Sequence, residues 1–310
     1  MRDFDLIILG AGPAGLTAGI YAARGGLGTL ILESKAPGGQ ASLTSSVENY
    51  PGVPETGGFD LAFNMLNQAK SFDVKVKTST VAKLALLGKD KKITLANGKE
   101  FVCGAVIIAT GANPRPLGLE NELELAGKGL SYCATCDGMF FKDKTVAVVG
   151  GGNTAVEDAM YLEKLAKKVY LIHRRNELRA DKILADRIKS SSVEILWDSV
   201  VTKAYGDDKL AQIEVKNVKN NSLSRVSVDG LFVAVGQIPN TSFLENADEK
   251  LNMTSGGYLV TDEEMRTNIA GVYAVGDVRE KSLRQIITAC ADGAIAANDA
   301  IKYLQELRSV

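Results

Sequence analysis

Two glycine-rich turns, Gly10-Ala-Gly12-Pro13-Ala14-Gly15 and Gly150-Gly151-Gly152-Asn153-Thr154-Ala155, begin 140 residues apart (150 − 10) and follow the apolar runs Leu6–Leu9 and Thr145–Val149. A strand that runs into such a turn and then a helix opens a dinucleotide-binding β-α-β unit. The first glycine permits the tight turn, the second lets the backbone approach a pyrophosphate, and the third allows close helix–strand packing. Ala155 is an accepted variant at the third position. One such motif alone is weak, and glycines can serve helix–sheet packing only; two in register predict an α/β chain with two Rossmann-like domains.

The duplication extends past the turns. Glu33 lies 23 residues after Gly10 (33 − 10), and His173 lies 23 after Gly150 (173 − 150). Each copy also closes alike, with Ala109-Thr110-Gly111-Ala-Asn113-Pro114 in the first and Ala234-Val-Gly236-Gln-Ile-Pro239 in the second. Helices are expected over Pro13–Arg24, Phe59–Ser71 and from Asn153 to about Ala166. The segment 34–52 reads as a loop, and 74–102, alternating and broken at Asn97-Gly98, as a β-meander. Gly271–Asp277 and a final helix over about Gln285–Glu306 have no counterpart in the second copy, so they are expected to complete the first domain. The predicted boundaries are residues 1–113 and 242–310 for a discontinuous first domain and 114–241 for a second domain inserted into it.

The tip of the second strand discriminates between ligands. In the first copy Glu33 can accept hydrogen bonds from ribose hydroxyls, as FAD or NAD requires. In the second copy a cationic cluster, His173-Arg174-Arg175 with Arg179, takes that place. Planar guanidinium groups suit a 2′-phosphate, which an acid would repel, so the second site is expected to prefer NADPH over NADH. A solvated basic patch is the plainer alternative. His173 is the single histidine of the chain; phosphate contact or packing suits it better than general-base work.

Between the turns lies Cys133-Ala-Thr-Cys136-Asp137. Zinc would need a second ligand pair, and Cys103, Cys290 and His173 are scattered, so no metal site is expected. Redox use needs one thiol to attack and another to resolve a mixed disulfide, which a two-residue spacer at a helix start permits. Asp137 could move a proton there or be an ordinary acidic residue at a helix start. Cys103 and Cys290 read as small buried residues. Net charge is −1 and the pI about 6.0, which excludes a polyanion-binding footprint for nucleic acid. With no 20-residue apolar span or signal-peptide core, a soluble cytoplasmic protein with no membrane association is expected.

Taken together, these residues resemble the low-molecular-weight, bacterial-type thioredoxin reductases, NADPH-dependent flavoproteins. The likeness runs nearly end to end: both glycine turns, Gly38-Gly39-Gln40, Val47-Glu-Asn49-Tyr-Pro-Gly52, Cys133–Gly138, His173–Arg175 with Arg179, Gly276-Asp277 and Arg284-Gln285. It implies the three-layer ββα FAD/NAD(P)-binding fold and two cofactors, FAD and NADPH. FAD would be held by Gly10, Gly12, Pro13, Ala14, Gly15, Glu33, Gly39, Gln40, Asn49, Thr110, Gly111, Gly276, Asp277, Arg284, Gln285 and Ile286. NADPH would be held by Gly150, Gly152, Asn153, Thr154, Ala155, His173, Arg174, Arg175 and Arg179.

The resemblance further implies hydride transfer from NADPH to FAD, then electron transfer to the Cys133–Cys136 disulfide through Cys136. Cys133 would then attack the disulfide of thioredoxin, with Asp137 as proton donor. A homodimer is expected, as is rotation of the NADPH domain about crossings near 113–116 and 237–241. The alternatives are a flavoprotein reductase serving another thioredoxin- or glutaredoxin-like protein or a peroxidase partner, and a non-catalytic flavin redox sensor.

Overall fold

The structure is a computed structural model that describes residues 2–44 and 47–309. The chain forms two compact units, Met1–Asn113 with Ile238–Val310, and Pro114–Gln237. The second unit thus closes four residues before the expected 241. The cause is Asn240, whose N–H donates to Gly111 O at 2.9 Å and whose Nδ2 donates to Thr110 O at 2.9 Å, while its own carbonyl accepts from Thr110 Oγ1 at 2.8 Å. Those bonds attach it to the first unit.

In the first unit, β1 (Phe4–Leu9) leads through the glycine turn into α1 (Pro13–Arg24) and back to β2 (Thr29–Glu33), which lies parallel to β1. Pro13 starts the helix where its missing N–H and fixed φ cost nothing. Gly26, at φ 81°, ends it in the left-handed conformation that a side chain would resist. Then α2 (Gly58–Ser71) carries the chain to β3 (Lys75–Thr78), which pairs parallel with β2.

This corrects the expected meander over 74–102. Only β4 (Val81–Ala85), β5 (Lys91–Leu95) and β6 (Glu100–Ile108) run antiparallel in succession. β3 belongs to the opposite edge, because a helical crossover such as α2 returns a strand parallel to the one it left. Of the loop expected over 34–52, Gly39–Leu43 forms a short 3-10 turn, and residues 45 and 46 lie outside the described residues.

The strand order is β3-β2-β1-β6-β5-β4, with Val272–Ala274 also on β6. Alternate residues feed two cores, as the two-residue strand period requires. Leu6, Ile8, Ile31 and Ile107 face α1 and the C-terminal helix Ile286–Ser309, whereas Ile7, Leu9, Leu32 and Ile108 meet Leu84, Ile93 and Leu259. Each fully buried Leu or Ile contributes roughly 1.5–3 kcal/mol. The C-terminal helix lies so close to α1 that a Cβ on Gly293 would fall 2.2 Å from Ala14 O. That approach seats the Gly276–Gln285 segment beside the first glycine turn.

The second unit repeats the plan. Its parallel sheet runs Glu194–Leu196, Lys168–Ile172, Thr145–Gly150, Gly230–Ala234, Leu130–Ser131, and a three-stranded antiparallel sheet is formed by Ser199–Tyr205, Gln212–Asn217 and Leu223–Ser227. Val146 and Val148 face one core, Ala147 and Val149 the other. Helix Asn153–Glu163 stops short of the expected Ala166, because Leu165 and Ala166 both turn back to the Leu162 carbonyl.

Candidate active site

Cys133 and Cys136 are joined as a disulfide, with Cα atoms 5.3 Å apart. Cys133 caps the single helical turn Ala134–Asp137. Ser131 organises the turn: its hydroxyl accepts from Cys133 N at 3.1 Å and donates to Asp137 Oδ2 at 2.6 Å, while Asp137 N donates to Cys133 O at 3.1 Å. The Asp137 carboxylate is therefore held close to the dithiol backbone. Burial pushes its pKa up, partly offset by the Ser131 bond, so the acid keeps its proton longer than an exposed aspartate. Tyr132, next to Cys133, donates to Glu122 Oε1 at 2.7 Å, and Glu122 also accepts from the N–H groups of Leu117, Gly118 and Leu119.

Cys103 and Cys290 are both buried and remote in sequence from the pair. Burial drives the Cys103 thiol up to about 12, leaving it unreactive. Among the described residues, no group of three or more His, Cys, Asp or Glu side chains is placed to hold a metal ion.

The first glycine turn is built around a close approach. Gly10 sits at φ 109°, and a Cβ there would meet Ala109 O at 2.3 Å; a Cβ on Gly15 would meet Gly10 O at 1.9 Å. Beyond its own chain neighbours, a Cβ on Gly12 would meet no atom of the described residues nearer than Gly39 Cα at 3.9 Å, so its backbone lies open to a ligand. Glu33 reaches back to the turn, with Oε2 accepting from Ala11 N and Oε1 from Lys35 N, both at 2.8 Å. Gly38 N donates to Ala11 O at 2.8 Å, and Gly39, at φ 58°, lies against Gly12.

Around this turn the structure gathers several of the expected residues. Gln40 Nε2 donates to Asn113 Oδ1, and Asn49 Nδ2 donates to Gln285 Oε1. Gly276, at φ 70°, packs on Ala14, and Ile286 opens the C-terminal helix. Asp277 Oδ1 and Arg284 Nε are buried without a hydrogen-bond partner among the described residues. Burial pushes the Asp277 pKa up, while Lys281 and Arg284 pull it down. An orphaned acceptor and donor beside an open glycine turn fit a bound group that carries both, as a flavin dinucleotide does.

Sequence reasoning missed the support behind this edge. Asp292, on the C-terminal helix, accepts from Gly276 N at 3.0 Å and Lys281 Nζ at 2.7 Å. Ser131 and Asn240 were missed too. None of the three sits in a motif or periodic pattern that could have marked it.

The second turn shows the same construction. Gly150 packs on Ala234 as Gly10 packs on Ala109: a Cβ at Gly150 would lie 2.5 Å from both Ala234 O and the Ala155 methyl. Gly152 is open, with no atom of the described residues beyond its chain neighbours within 4 Å of an added Cβ. Asn153, which starts the helix and precedes exposed Thr154, exchanges two hydrogen bonds with Asp181, at 2.7 and 2.8 Å. Arg174, Arg175 and Arg179 are exposed and make no ion pair among the described residues, which leaves three cations beside the turn.

His173 does not join them at the surface. Its ring is 4% exposed, with Nε2 2.9 Å from Glu177 O, and it lies edge-on to Trp197. Burial lowers its pKa against the pull of the Glu177 and Gly150 backbone.

Comparison with known proteins identifies the family. The pyridine nucleotide-disulphide oxidoreductase family matches residues 4–293. The thioredoxin reductase of Listeria innocua is 46% identical over 99% of this chain and 96% of its own length, and that of Bacillus subtilis is 42% identical over the same shares. The crystal structure of thioredoxin reductase from Streptococcus pyogenes superposes with a TM-score of 0.91 at 43% identity, covering 98% of each chain. The chain therefore belongs to the pyridine nucleotide-disulphide oxidoreductases and, within them, to the thioredoxin reductase family.

Proposed function

We infer that this chain is an NADPH-dependent thioredoxin-disulfide reductase that uses FAD, and that Cys133, Cys136 and Asp137 carry its chemistry. The observation that bears most weight is the Cys133–Cys136 disulfide at the start of a helical turn, with the Asp137 carboxylate tied to the same backbone through Ser131. The net reaction is NADPH, a proton and a thioredoxin disulfide giving NADP+ and a thioredoxin dithiol. FAD, held at the first glycine turn, would supply the two-electron chemistry that links the nicotinamide to a disulfide.

The chain's own groups do the rest. Once the pair is reduced, Cys133 as thiolate attacks one sulfur of the partner disulfide, and the other partner sulfur leaves as a thiolate. Asp137, with its raised proton affinity, protonates that leaving group. Cys136 then attacks the Cys133 sulfur of the mixed disulfide, releases the second partner thiol and restores the Cys133–Cys136 bond.

The FAD side is assigned to the first glycine turn with Glu33, Gln40, Asn49, Asp277, Arg284 and Gln285. The NADPH side is assigned to the second turn with Arg174, Arg175 and Arg179. The open arginines support this division, since a 2′-phosphate would supply the counter-charge they lack. A homodimer is also proposed; the exposed, stacked Phe59 and Phe63 on α2 favour a covered surface there. No helix among the described residues is long and apolar enough to cross a membrane.

Steady-state oxidation of NADPH by the flavin-loaded protein with a thioredoxin as acceptor tests the assignment. Turnover with NADPH well above that with NADH is the expected result. A flavin-loaded protein that reduces no disulfide would favour the sensor alternative.

A further inference from the structure

We infer that His173 is a positioning residue that locks the second glycine turn to the arginine loop, and that it is not itself a contact to the 2′-phosphate. The inference rests on the NADPH assignment made above. Its starting point is where the ring lies: 4% exposed, while Arg174, Arg175 and Arg179 around it are exposed.

One face of the ring is filled by the turn. A Cβ added to Gly151 would fall 2.1 Å from His173 Nδ1 and 2.2 Å from Cε1, so the imidazole occupies the volume that a side chain at 151 would need. The opposite nitrogen, Nε2, is 2.9 Å from the carbonyl of Glu177, midway through the loop that carries the arginines. A carbonyl only accepts, so Nε2 bears the hydrogen and donates. Arg179 N and Ala180 N close the same loop onto Gly151 O at 2.7 and 3.1 Å. The ring thus touches both the residue between the two phosphate-facing glycines and the loop that supplies the cations.

The first unit carries the same device with different chemistry. Glu33, at the position equivalent to His173, binds Ala11 N, and Ala11 is equivalent to Gly151. The following loop also returns to that residue, with Gly38 N on Ala11 O where the second unit has Arg179 N on Gly151 O. In both halves, the residue at the tip of the second strand anchors the middle of the glycine turn. In the second half a buried ring does it, so the charged groups left for the phosphate are the arginines.

The test compares NADP+ and NAD+ binding to flavin-loaded wild type, His173→Ala and His173→Gln by calorimetric titration, together with the kinetics of thioredoxin reduction. Positioning predicts that His173→Ala weakens NAD+ as well as NADP+, each by about tenfold, the scale of one lost buried hydrogen bond with its packing. It also predicts a raised KM with kcat at saturating NADPH unchanged. His173→Gln keeps a donor for Glu177 O and should recover much of the loss.

A second variant guards against a folding defect in the first. Gly151→Ala drives a methyl into the ring and should weaken both nucleotides, and combining it with His173→Ala should relieve part of that loss. Loss of NADP+ affinity with NAD+ untouched would overturn the inference in favour of direct phosphate contact. Additive effects of the 151 and 173 changes, or no change at all, would overturn it as well. A wild type that bound neither nucleotide would instead remove the NADPH assignment itself, and the inference with it.

Discussion

The Ser131 hydroxyl lies 2.6 Å from Asp137 Oδ2 and donates to it, a bond that favours the ionised carboxylate against the burial that disfavours it. The same oxygen accepts from Cys133 N. A serine two residues before the dithiol therefore sets both the proton affinity of the acid and the orientation of the Cys133 backbone.

Replacing Ser131 with Ala removes a hydrogen bond that lowers the Asp137 pKa and leaves the burial that raises it, so that pKa should rise. Asp137 then stays protonated to higher pH. The limb of the pH profile that reports loss of the proton donor should move to higher pH in single-turnover oxidation of the reduced protein by thioredoxin. An unmoved limb would separate Asp137 from the proton transfer.

Arg174 and Arg175 stand exposed without ion-pair partners among the described residues, as a site for a dianionic 2′-phosphate requires. Replacing both with Gln should raise KM for NADPH by about a hundredfold, from two charge-assisted contacts of about 1.5 kcal/mol each. KM for NADH should change little. Parallel increases for the two nucleotides would contradict the phosphate assignment.

How much of this was legible beforehand depends on what each feature is made of. The glycine turns could be read because a left-handed φ and a carbonyl 2.3 Å from where a Cβ would stand leave only glycine at position 10. The arginine cluster could be read because charge is a property of the residue. The place of Lys75–Thr78 could not, since its alternation is the same whether it pairs with β2 or with β4; the crossover through α2 decides, and that is a tertiary fact. For His173 the sequence leaves phosphate contact and packing both open, because it shows the cationic neighbours but not that the ring turns inward. Asn240 escaped notice for a similar reason, since its partners Thr110 and Gly111 lie 130 and 129 positions earlier (240 − 110, 240 − 111).

Asp277 Oδ1 has no hydrogen-bond partner among the described residues, although the carboxylate is buried beside the open first glycine turn. Asp277→Ala should cost the protein much of its FAD, raising the dissociation constant of the apoprotein for FAD by about tenfold or more. The flavin-to-protein absorbance ratio after purification reads this directly. Full flavin retention would show that Asp277 serves some other partner.

Asp299 accepts from Arg266 Nε at 2.7 Å and from the buried Tyr273 hydroxyl at 3.0 Å. The Arg266 hydrogen bond is the largest influence holding its carboxyl below the usual carboxylate range. A depressed folded-state pKa contributes stability above the unfolded value of about 4, and that contribution is lost as pH falls through the folded value. Asp299→Ala should therefore cost about 2 kcal/mol near neutrality, kept modest because Arg266 can rehydrate, and the cost should shrink below about pH 4. Urea unfolding of both proteins across this pH range checks the size and the sign.

The relay through Cys133 is tested most directly by Cys133→Ser in the flavin-loaded protein, measuring NADPH-driven flavin bleaching and thioredoxin reduction on the same sample. Bleaching at close to the wild-type rate with thioredoxin reduction abolished is the predicted result. Thioredoxin turnover that survives the loss of Cys133 would contradict the account.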